Sequence, residues 1–182
     1  MKNLVEIKVS EYRSPVGDLV LGSIGDDLCL CDWKFRTLRQ EIDNRIRSGL
    51  AAIYSTGDSD VIREAKSQLE EYFAGNRTSF DIPLLMIGTD FQKKIWELLI
   101  TIPYGETRSY LELARNAGDE KSIRAVAAAN GANALAIIVP CHRVVGSKGE
   151  LTGYAGGLKA KKKLLNLESR KIGQGQMELF QL

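Results

Sequence analysis

The sequence predicts a mixed α/β (α+β) fold, in which a small N-terminal antiparallel-sheet domain with helices precedes a mainly helical, winged helix-turn-helix-like domain that carries a reactive cysteine. Residues 5–33 alternate polar and apolar side chains around turn signals, which is typical of short strands joined by hairpins. Helical periodicity begins near residue 59 and resumes at residue 89, and a glycine-containing turn then separates two short helical segments. We therefore expect an N-terminal domain at 1–88, a second domain at 89–170 and a flexible tail at 171–182.

Composition and charge limit the classes of protein to be considered. Of the 182 residues, 44% are hydrophobic and 26% are charged, which is typical of a globular chain and excludes a disordered or fibrous one. The apolar runs are far shorter than the roughly 18 residues of a membrane span. Because the N-terminal pattern is unlike a secretory signal, we expect a cytoplasmic protein. Residues 91–182 carry 14 Lys and Arg against 8 Asp and Glu, whereas residues 1–90 carry 11 against 15, so the second half is the better candidate for binding a polyanion.

The last strand of the predicted hairpins carries two cysteines. Cys29 and Cys31 lie two residues apart, so on a regular strand they would share one face, where a metal site is conceivable. Further ligands are missing nearby, and we interpret both as packed core residues. The charged segment 37–54 is ambiguous and is expected to be partly helical. A structural helix then follows, capped at 58–59 and ended at 75–76.

Capping signals predict where the helices of the second half begin. A Ser or Thr followed three residues later by Glu or Gln forms a capping box. The chain has two such pairs in this region, Thr89 with Gln92 and Ser109 with Glu112. The second pair starts a helix at 110–117, and a Gly118-Asp119 turn leads to a further helix at 122–130. This order is a helix-turn-helix in outline.

The helix predicted at 122–130 combines one long cation with very small side chains. Arg124 stands among Ala125, Ala127 and Ala128, so the helix backbone can approach another surface closely. A helix packed into a protein core explains this pattern as well as a helix docked on nucleic acid does. The positive charge of the second half favours DNA.

A candidate nucleophile follows an apolar run at 134–139, which we expect to be a buried strand or extended segment. Cys141 stands beside His142, the only histidine of the chain. A nearby base or cation is the usual means of lowering a thiol pKa from about 8.5. Adjacent side chains of a strand point to opposite faces, so contact between the two requires a turn or a bridging water, and the sequence leaves both open. A buried thiol beside an unrelated imidazole is the alternative.

A glycine-rich segment around Tyr154 is able to wrap a flat ligand. With it, the chain resembles the O6-alkylguanine-DNA alkyltransferases, also called methylated-DNA–protein-cysteine methyltransferases. The resemblance runs from about Phe91 to Glu168, and the segment 71–75 is similar to the N-terminal domain of that family. The motifs that carry it are Pro140-Cys141-His142-Arg143-Val144, Gly153-Tyr154-Ala155-Gly156-Gly157-Leu158 and Arg124-Ala125-Val126.

The resemblance implies single-turnover DNA repair. Cys141 would take the alkyl group of O6-methylguanine, and of O4-methylthymine, from duplex DNA and hold it as a stable thioether. His142 would receive the thiol proton through a water molecule, and Glu168 would orient the imidazole. Asn133 would brace the active-site turn. Tyr110 would bond guanine N3 and donate a proton toward the developing guanine anion.

The resemblance also implies that the target base leaves the DNA helix to reach the thiol. Arg124 would fill the gap in the base stack while its helix enters the minor groove. Val144 and Ala155 would read the guanine edge, and Tyr154 would pack along the base. The predicted DNA- and substrate-binding residues are Arg124, Ala125, Ala127, Ala128, Tyr110, Arg143, Val144, Tyr154, Ala155 and Gly156.

Partners and cofactors follow from the same comparison. We expect a monomer that binds double-stranded DNA and needs no cofactor. We also expect no metal, because the zinc site of some relatives needs ligands that the histidine-free N-terminal half lacks. The tail residues Gln176, Leu179 and Phe180 are similar to peptides that dock on bacterial sliding clamps. The alternative is that Leu179 and Phe180 fold back onto the protein.

Two other classes of protein remain as alternatives. A cysteine hydrolase would use Cys141 and His142, but it would turn over repeatedly and would need an oxyanion hole. A non-enzymatic helix-turn-helix regulator would need side chains that read base edges, whereas the helix at 122–130 offers mostly alanine.

Overall fold

The computed structural model describes residues 5–169, and its N-terminal half is built on a four-stranded sheet. The strands are β1 (Val5–Ser14), β2 (Gly17–Ile24), β3 (Asp27–Trp33) and β4 (Ala52–Thr56). They lie in the order β3-β2-β1-β4. β1, β2 and β3 pair antiparallel, which confirms the predicted hairpins.

The ambiguous segment 37–54 contains a helix and a strand. Helix α1 (Arg39–Leu50) ends at Ala51, whose left-handed backbone (φ 48°) turns the chain into β4. β4 then runs parallel to β1, so the predicted antiparallel sheet gains a parallel strand at this edge, from a segment that the sequence left ambiguous. The physical reason is the crossover helix, which carries the chain along the sheet and returns it in the direction of β1.

The two cysteines of β3 do not share a face of the sheet. The pairing register between β2 and β3 shifts at Gly22, so that Cys29 is an extra residue in a bulge. Cys29 packs with Leu30 in one hydrophobic cluster, whereas Cys31 packs with Leu28 in another. The expectation of a common face is therefore wrong, and both thiols lie in the core, as we interpreted them.

Five further helices and a small second sheet complete the described chain. Ser59 caps helix α2, and the two predicted capping boxes begin α3 and α4, as expected. The helices are α2 (Asp60–Phe73), α3 (Asp90–Ile100), α4 (Tyr110–Asn116), α5 (Ile123–Gly131) and α6 (Gly157–Ser169). The strands β5 (Arg108–Ser109) and β6 (Val144–Val145) pair in parallel. α4 and α5 pack together as a helix-turn-helix, with a single 3-10 turn between them.

The two halves share one hydrophobic core. Leu21 of the sheet and Tyr72 of α2 belong to the same cluster as Trp96 of α3 and Leu164 of α6. The indole Nε1 of Trp96 donates to the carbonyl of Ala129, 2.8 Å away, which fixes α3 against the end of α5. Within residues 5–169, no helix combines the length and the apolar character that crossing a membrane requires.

Candidate active site

A cleft of about 570 Å³ opens beside the helix-turn-helix, which is within the size range of small-molecule sites. α5 forms one side, the glycine-rich segment 152–155 forms another, and residues 36–38 of the N-terminal half form a third. Six residues predicted from the sequence line it: Tyr110, Arg124, Ala127, Cys141, Tyr154 and Ala155.

The segment 134–139, which leads to the nucleophile, is a buried turn. Of the buried strand or extended segment that we expected, only isolated bridge pairs form, at Leu135 and between Ala136 and Val139, because Ile137 adopts a left-handed backbone (φ 73°) that a regular strand excludes. For a branched residue this conformation costs about 1–3 kcal/mol and persists only where the surroundings enforce it. Asn133 supplies that restraint, because its Oδ1 accepts from the amide of Leu135 and its Nδ2 donates to the carbonyl of Val139, each at 2.9 Å.

Cys141 is the first residue of a 3-10 turn, Cys141–Arg143. Its backbone amide donates to the carbonyl of Val139 at 2.8 Å, so the thiol-bearing residue follows directly from the braced turn. The turn separates adjacent side chains: Cys141 lines the cleft with 3% of its surface exposed, whereas His142 is fully buried behind it. The sequence left open whether a turn or a bridging water relates Cys141 to His142, and the structure has a turn at this point.

His142 and Glu168 form a buried hydrogen-bonded pair, with 2.8 Å between Nε2 and Oε1. Burial alone would raise the pKa of Glu168, but His142 and Arg143 lower it well below its ordinary value. Burial also lowers the pKa of His142, against the opposing influence of Glu168. Because an ionised carboxylate only accepts, Nε2 carries the proton and Nδ1 of the neutral ring is an acceptor. That Nδ1 is buried and makes no hydrogen bond within residues 5–169.

Arg143 supports Glu168 and lies away from the cleft. Its Nε donates to Glu168 Oε2 at 2.9 Å, and its Nη1 donates to the carbonyl of Ile102 at 2.6 Å. The guanidinium lies 5.7 Å from the ring centre of Tyr104. This position corrects the prediction that Arg143 contacts DNA or substrate: the cation turns inward because it neutralises a buried carboxylate.

The exposed face of α5 carries the predicted small residues. Arg124, Ala125, Ala127 and Ala128 are exposed, whereas the core contacts of the helix come from other positions, including Val126. The interpretation of these alanines as core packing is therefore wrong, and a backbone surface close to the cleft is open to a partner.

The glycine-rich segment sets Tyr154 against two other rings. Tyr154 meets Trp33 edge-on at 5.7 Å and His142 at 6.5 Å between ring centres. Gly156 packs so closely against Trp33 that an added Cβ would collide with the indole, so only glycine fits at this point of the loop. The side chain of Val144 is fully buried, and its backbone belongs to β6.

Comparison with known proteins identifies the family. A model described as the ribonuclease-like domain of 6-O-methylguanine DNA methyltransferase matches residues 7–86, and one described as the DNA-binding domain of the same enzyme matches residues 90–170. The chain belongs to the 6-O-methylguanine DNA methyltransferase family. Its mixed α/β fold, with an N-terminal sheet followed by helices, agrees with the fold that the sequence predicts.

Members of this family from distant organisms resemble the chain over most of its length. A methylated-DNA–protein-cysteine methyltransferase of Methanosarcina acetivorans is 57% identical over 86% of this chain and 95% of its own. One from Mycobacterium tuberculosis is 46% identical over 85% of this chain and 88% of its own. The crystal structure of Mycobacterium tuberculosis OGT in complex with DNA superposes with a TM-score of 0.77 at 41% identity, over 97% of this chain and all of that one.

Sequence reasoning missed a buried lysine beside the methyltransferase thiol. Lys161 was assigned no role from the sequence, yet it is fully buried and its Nζ donates to the carbonyl of Thr152 at 2.8 Å. Burial lowers the pKa of Lys161 to about 8. Burial raises the pKa of the Cys141 thiol, whereas Asn133 and the Lys161 ammonium oppose that increase.

Two residues of the N-terminal half were also missed. Arg36 is paired with Asp32, and its Nη1 donates to the carbonyl of Asn133 at 3.0 Å. Tyr72 donates its hydroxyl to Glu168 Oε1 at 2.7 Å. Arg36 carries no local sequence signal, whereas Tyr72 belongs to the segment 71–75 that is similar to the N-terminal domain of the family. Both act on partners more than 90 residues away along the chain.

Proposed function

We propose that this protein repairs DNA by moving the methyl group of O6-methylguanine onto Sγ of Cys141, once per molecule. The observation that carries the proposal is the buried His142–Glu168 pair directly behind a cysteine that lines a base-sized cleft. Membership of the methyltransferase family supports the same reaction.

The pKa shifts of the buried groups indicate which of them holds a proton before the proposed reaction begins. At rest the thiol is protonated, because burial raises the pKa of Cys141. A water molecule passes this proton to Nδ1 of neutral His142, and Glu168 stabilises the resulting imidazolium. The thiolate attacks the methyl carbon in line, the bond between that carbon and O6 breaks, and its electron pair passes to guanine. Burial raises the pKa of Tyr110, so its phenol holds a proton that it donates toward guanine N3 and later regains from solvent.

The chemistry accounts for the single turnover. The product is S-methylcysteine. A thioether contains no good leaving group, so the methyl group stays on the sulfur and the thiol is not regenerated. O4-methylthymine presents the same type of methyl–oxygen bond beside a ring nitrogen, and we include it as a second substrate.

Access to the methyl group requires base extrusion, which costs a few kcal/mol of stacking and pairing energy. We assign Arg124 to the vacated stack and the alanine face of α5 to the minor groove, since both are exposed next to the cleft. DNA affinity is expected to depend weakly on sequence and strongly on salt, because phosphate contacts release counterions.

The test is intact-protein mass spectrometry after incubation with an oligonucleotide that carries one O6-methylguanine, followed by peptide mapping. We expect one added methyl group per protein on Cys141, an equal loss of the lesion, and no transfer to Cys141→Ser. A parallel oligonucleotide with O4-methylthymine tests the second substrate. An unmodified cysteine with the lesion intact would reject the proposal.

The same experiment separates the alternative functions. A hydrolase intermediate on Cys141 would decay and the enzyme would turn over again, whereas an S-methyl group persists. A regulator would bind unmodified DNA with a marked sequence preference, which competition with random-sequence duplexes measures.

Assembly and location are proposed on sequence grounds. We propose a cytoplasmic monomer that docks on a sliding clamp through Gln176, Leu179 and Phe180; these three residues lie outside the described range. Sedimentation velocity tests the monomer. A clamp pull-down with the chain ended at residue 170 tests docking, and unchanged capture would reject it.

A further inference from the structure

The side chain of Tyr72, in the N-terminal half, reaches the buried His142–Glu168 pair. It lies on α2, it is fully buried, and its hydroxyl donates to Glu168 Oε1 at 2.7 Å. The ring is held by Phe73, Phe80 and Tyr104, whose ring centres lie 5.3, 5.5 and 6.0 Å away. This packing fixes the direction of the hydroxyl.

The hydroxyl shares its acceptor with the histidine. Oε1 of Glu168 accepts from Tyr72, from Nε2 of His142 at 2.8 Å and from Nη2 of Arg143 at 3.0 Å. Oε2 accepts from Nε of Arg143 and from the amide of Gly105. Each additional donor to one oxygen withdraws negative charge from the others, so Tyr72 weakens the pull of Glu168 on the imidazole proton.

We propose that Tyr72 is a positioning residue of the alkyl transfer, which tunes the basicity of His142 through their shared acceptor, Glu168 Oε1. The inference rests on the proposed function. Tyr72 is not among the residues that line the cleft, and its hydroxyl is linked to His142 by the shared acceptor Glu168 Oε1. Within residues 5–86 it is the one side chain that donates to Glu168, which gives the N-terminal half a part in the chemistry.

The phenol is a constant donor over the working pH range. Burial and the neighbouring Glu168 raise the pKa of Tyr72 well above its ordinary value, so it stays protonated. Other charged and titratable groups also face the pair, and they are unchanged when Tyr72 is replaced. They are Cys141 and Arg143 in the 3-10 turn, Lys161 on α6, Tyr104 before β5 and Tyr154 in the glycine-rich segment.

Replacement by Tyr72→Phe removes the donor and keeps the ring. Glu168 then holds the imidazolium more strongly, and the His142 titration midpoint should rise by about half a pH unit, since a net hydrogen bond is worth a fraction of one pKa unit. Because the chain has a single histidine, imidazole resonances in an NMR titration report His142 without ambiguity. This readout does not depend on DNA or on activity.

The rate profile gives a second measurement. The acid limb of the single-turnover transfer rate should move upward in pH with the NMR midpoint, because the reaction needs neutral His142. The control is Tyr104→Phe, which removes a hydroxyl of the same aromatic cluster whose bond goes to the carbonyl of Leu167; its His142 midpoint should stay within about 0.1 unit of the parent.

The outcomes are distinguishable. Equal His142 midpoints in the parent and Tyr72→Phe, in folded samples, would overturn the inference, as would an equal shift in Tyr104→Phe. A lower rate at every pH with the midpoint unchanged would mean a structural role only. A shifted NMR midpoint in a protein that never methylates Cys141 would reject the proposed function and leave the Tyr72–Glu168–His142 coupling intact.

Discussion

Two buried carboxylates, Asp32 and Glu168, are each paired with an arginine and yet acquire opposite pKa shifts. Four residues donate to Glu168, and its pKa falls well below the ordinary value. Asp32 accepts on both oxygens from one nitrogen of Arg36, and burial raises its pKa by more than Arg36 and the Trp33 amide lower it. The number of donors therefore decides whether burial leaves a carboxylate firmly ionised.

The opposite pKa shifts of Glu168 and Asp32 correspond to two different tasks, one in the reaction and one in holding the structure. A firmly ionised Glu168 fixes the tautomer of His142 and stabilises its cation. Asp32 instead orients Arg36, which binds the carbonyls of Gly131 and Asn133 at the end of α5 and the start of the active-site turn. In the proposed reaction the Glu168 pair acts on protons, whereas the Asp32 pair holds the backbone that leads to Cys141.

The largest effect is expected from Glu168→Gln. The amide cannot hold an imidazolium, and general-base assistance is typically worth a factor of about 10²–10⁴ in rate. The single-turnover rate of methyl transfer, measured by quenched-flow with a lesion-bearing duplex, should fall by that factor. A rate within threefold of the parent would remove Glu168 from the reaction.

The same variant has a pH signature. Because the pKa of Glu168 is lowered in the folded state, its stabilisation is complete above its unfolded pKa of about 4.3 and is lost as pH falls toward the folded value. In Glu168→Gln the free energy of unfolding should therefore decrease less than in the parent as the pH is lowered. Urea titrations at several acidic pH values measure this difference.

The next effect is on stability. Asp32→Asn leaves the Arg36 guanidinium buried without its counter-ion, which typically costs about 3–5 kcal/mol. We expect that loss in the free energy of unfolding, and a transfer rate for the folded protein that changes far less than in Glu168→Gln. The double replacement Asp32→Asn with Arg36→Met should recover part of the stability. Equal rate losses at Asp32 and Glu168 would break the division between the two pairs.

The smallest effect concerns a buried cation. Lys161→Met removes the positive charge that opposes the burial of the thiolate. The pKa of Cys141 should then rise further, and its reaction with iodoacetamide below pH 8 should become slower by a factor of roughly ten. Lys162→Met, on the same helix, is the matched control and should leave this reaction unchanged.

Local signals in the sequence predicted most of the described elements. The two capping boxes marked the first residues of α3 and α4, because capping depends on neighbours three residues apart. The bulge at Cys29 and the parallel pairing of β4 were not predictable, since both depend on partners elsewhere in the sheet.

The candidate nucleophile and the imidazole behind it were predicted because both lie in one short motif, residues 140–144. Cys141 and His142 stand side by side in that motif, whereas Asn133 came from the family resemblance, and the catalytic roles of all three stay predictions. Arg143, which we expected at DNA or substrate, is a buried counter-ion of Glu168. Lys161 did carry an overlooked signal: it precedes Leu164 and Leu165 by one helical turn and Glu168 by two, so it belongs to the buried stripe of α6. Arg36 and Tyr72 act over long distances in sequence, which a single chain does not reveal.

The position of Glu168 also determines when a newly made chain becomes able to transfer an alkyl group. The nucleophile at 141 emerges from the ribosome well before the carboxylate at 168, and domains form from the N-terminus onward during synthesis. At that stage His142 still lacks its partner, and the core that Tyr72 shares with α6 is incomplete. A chain that stops before α6 is complete lacks the carboxylate that stabilises the His142 cation, so alkyl transfer by Cys141 as proposed requires the whole of α6.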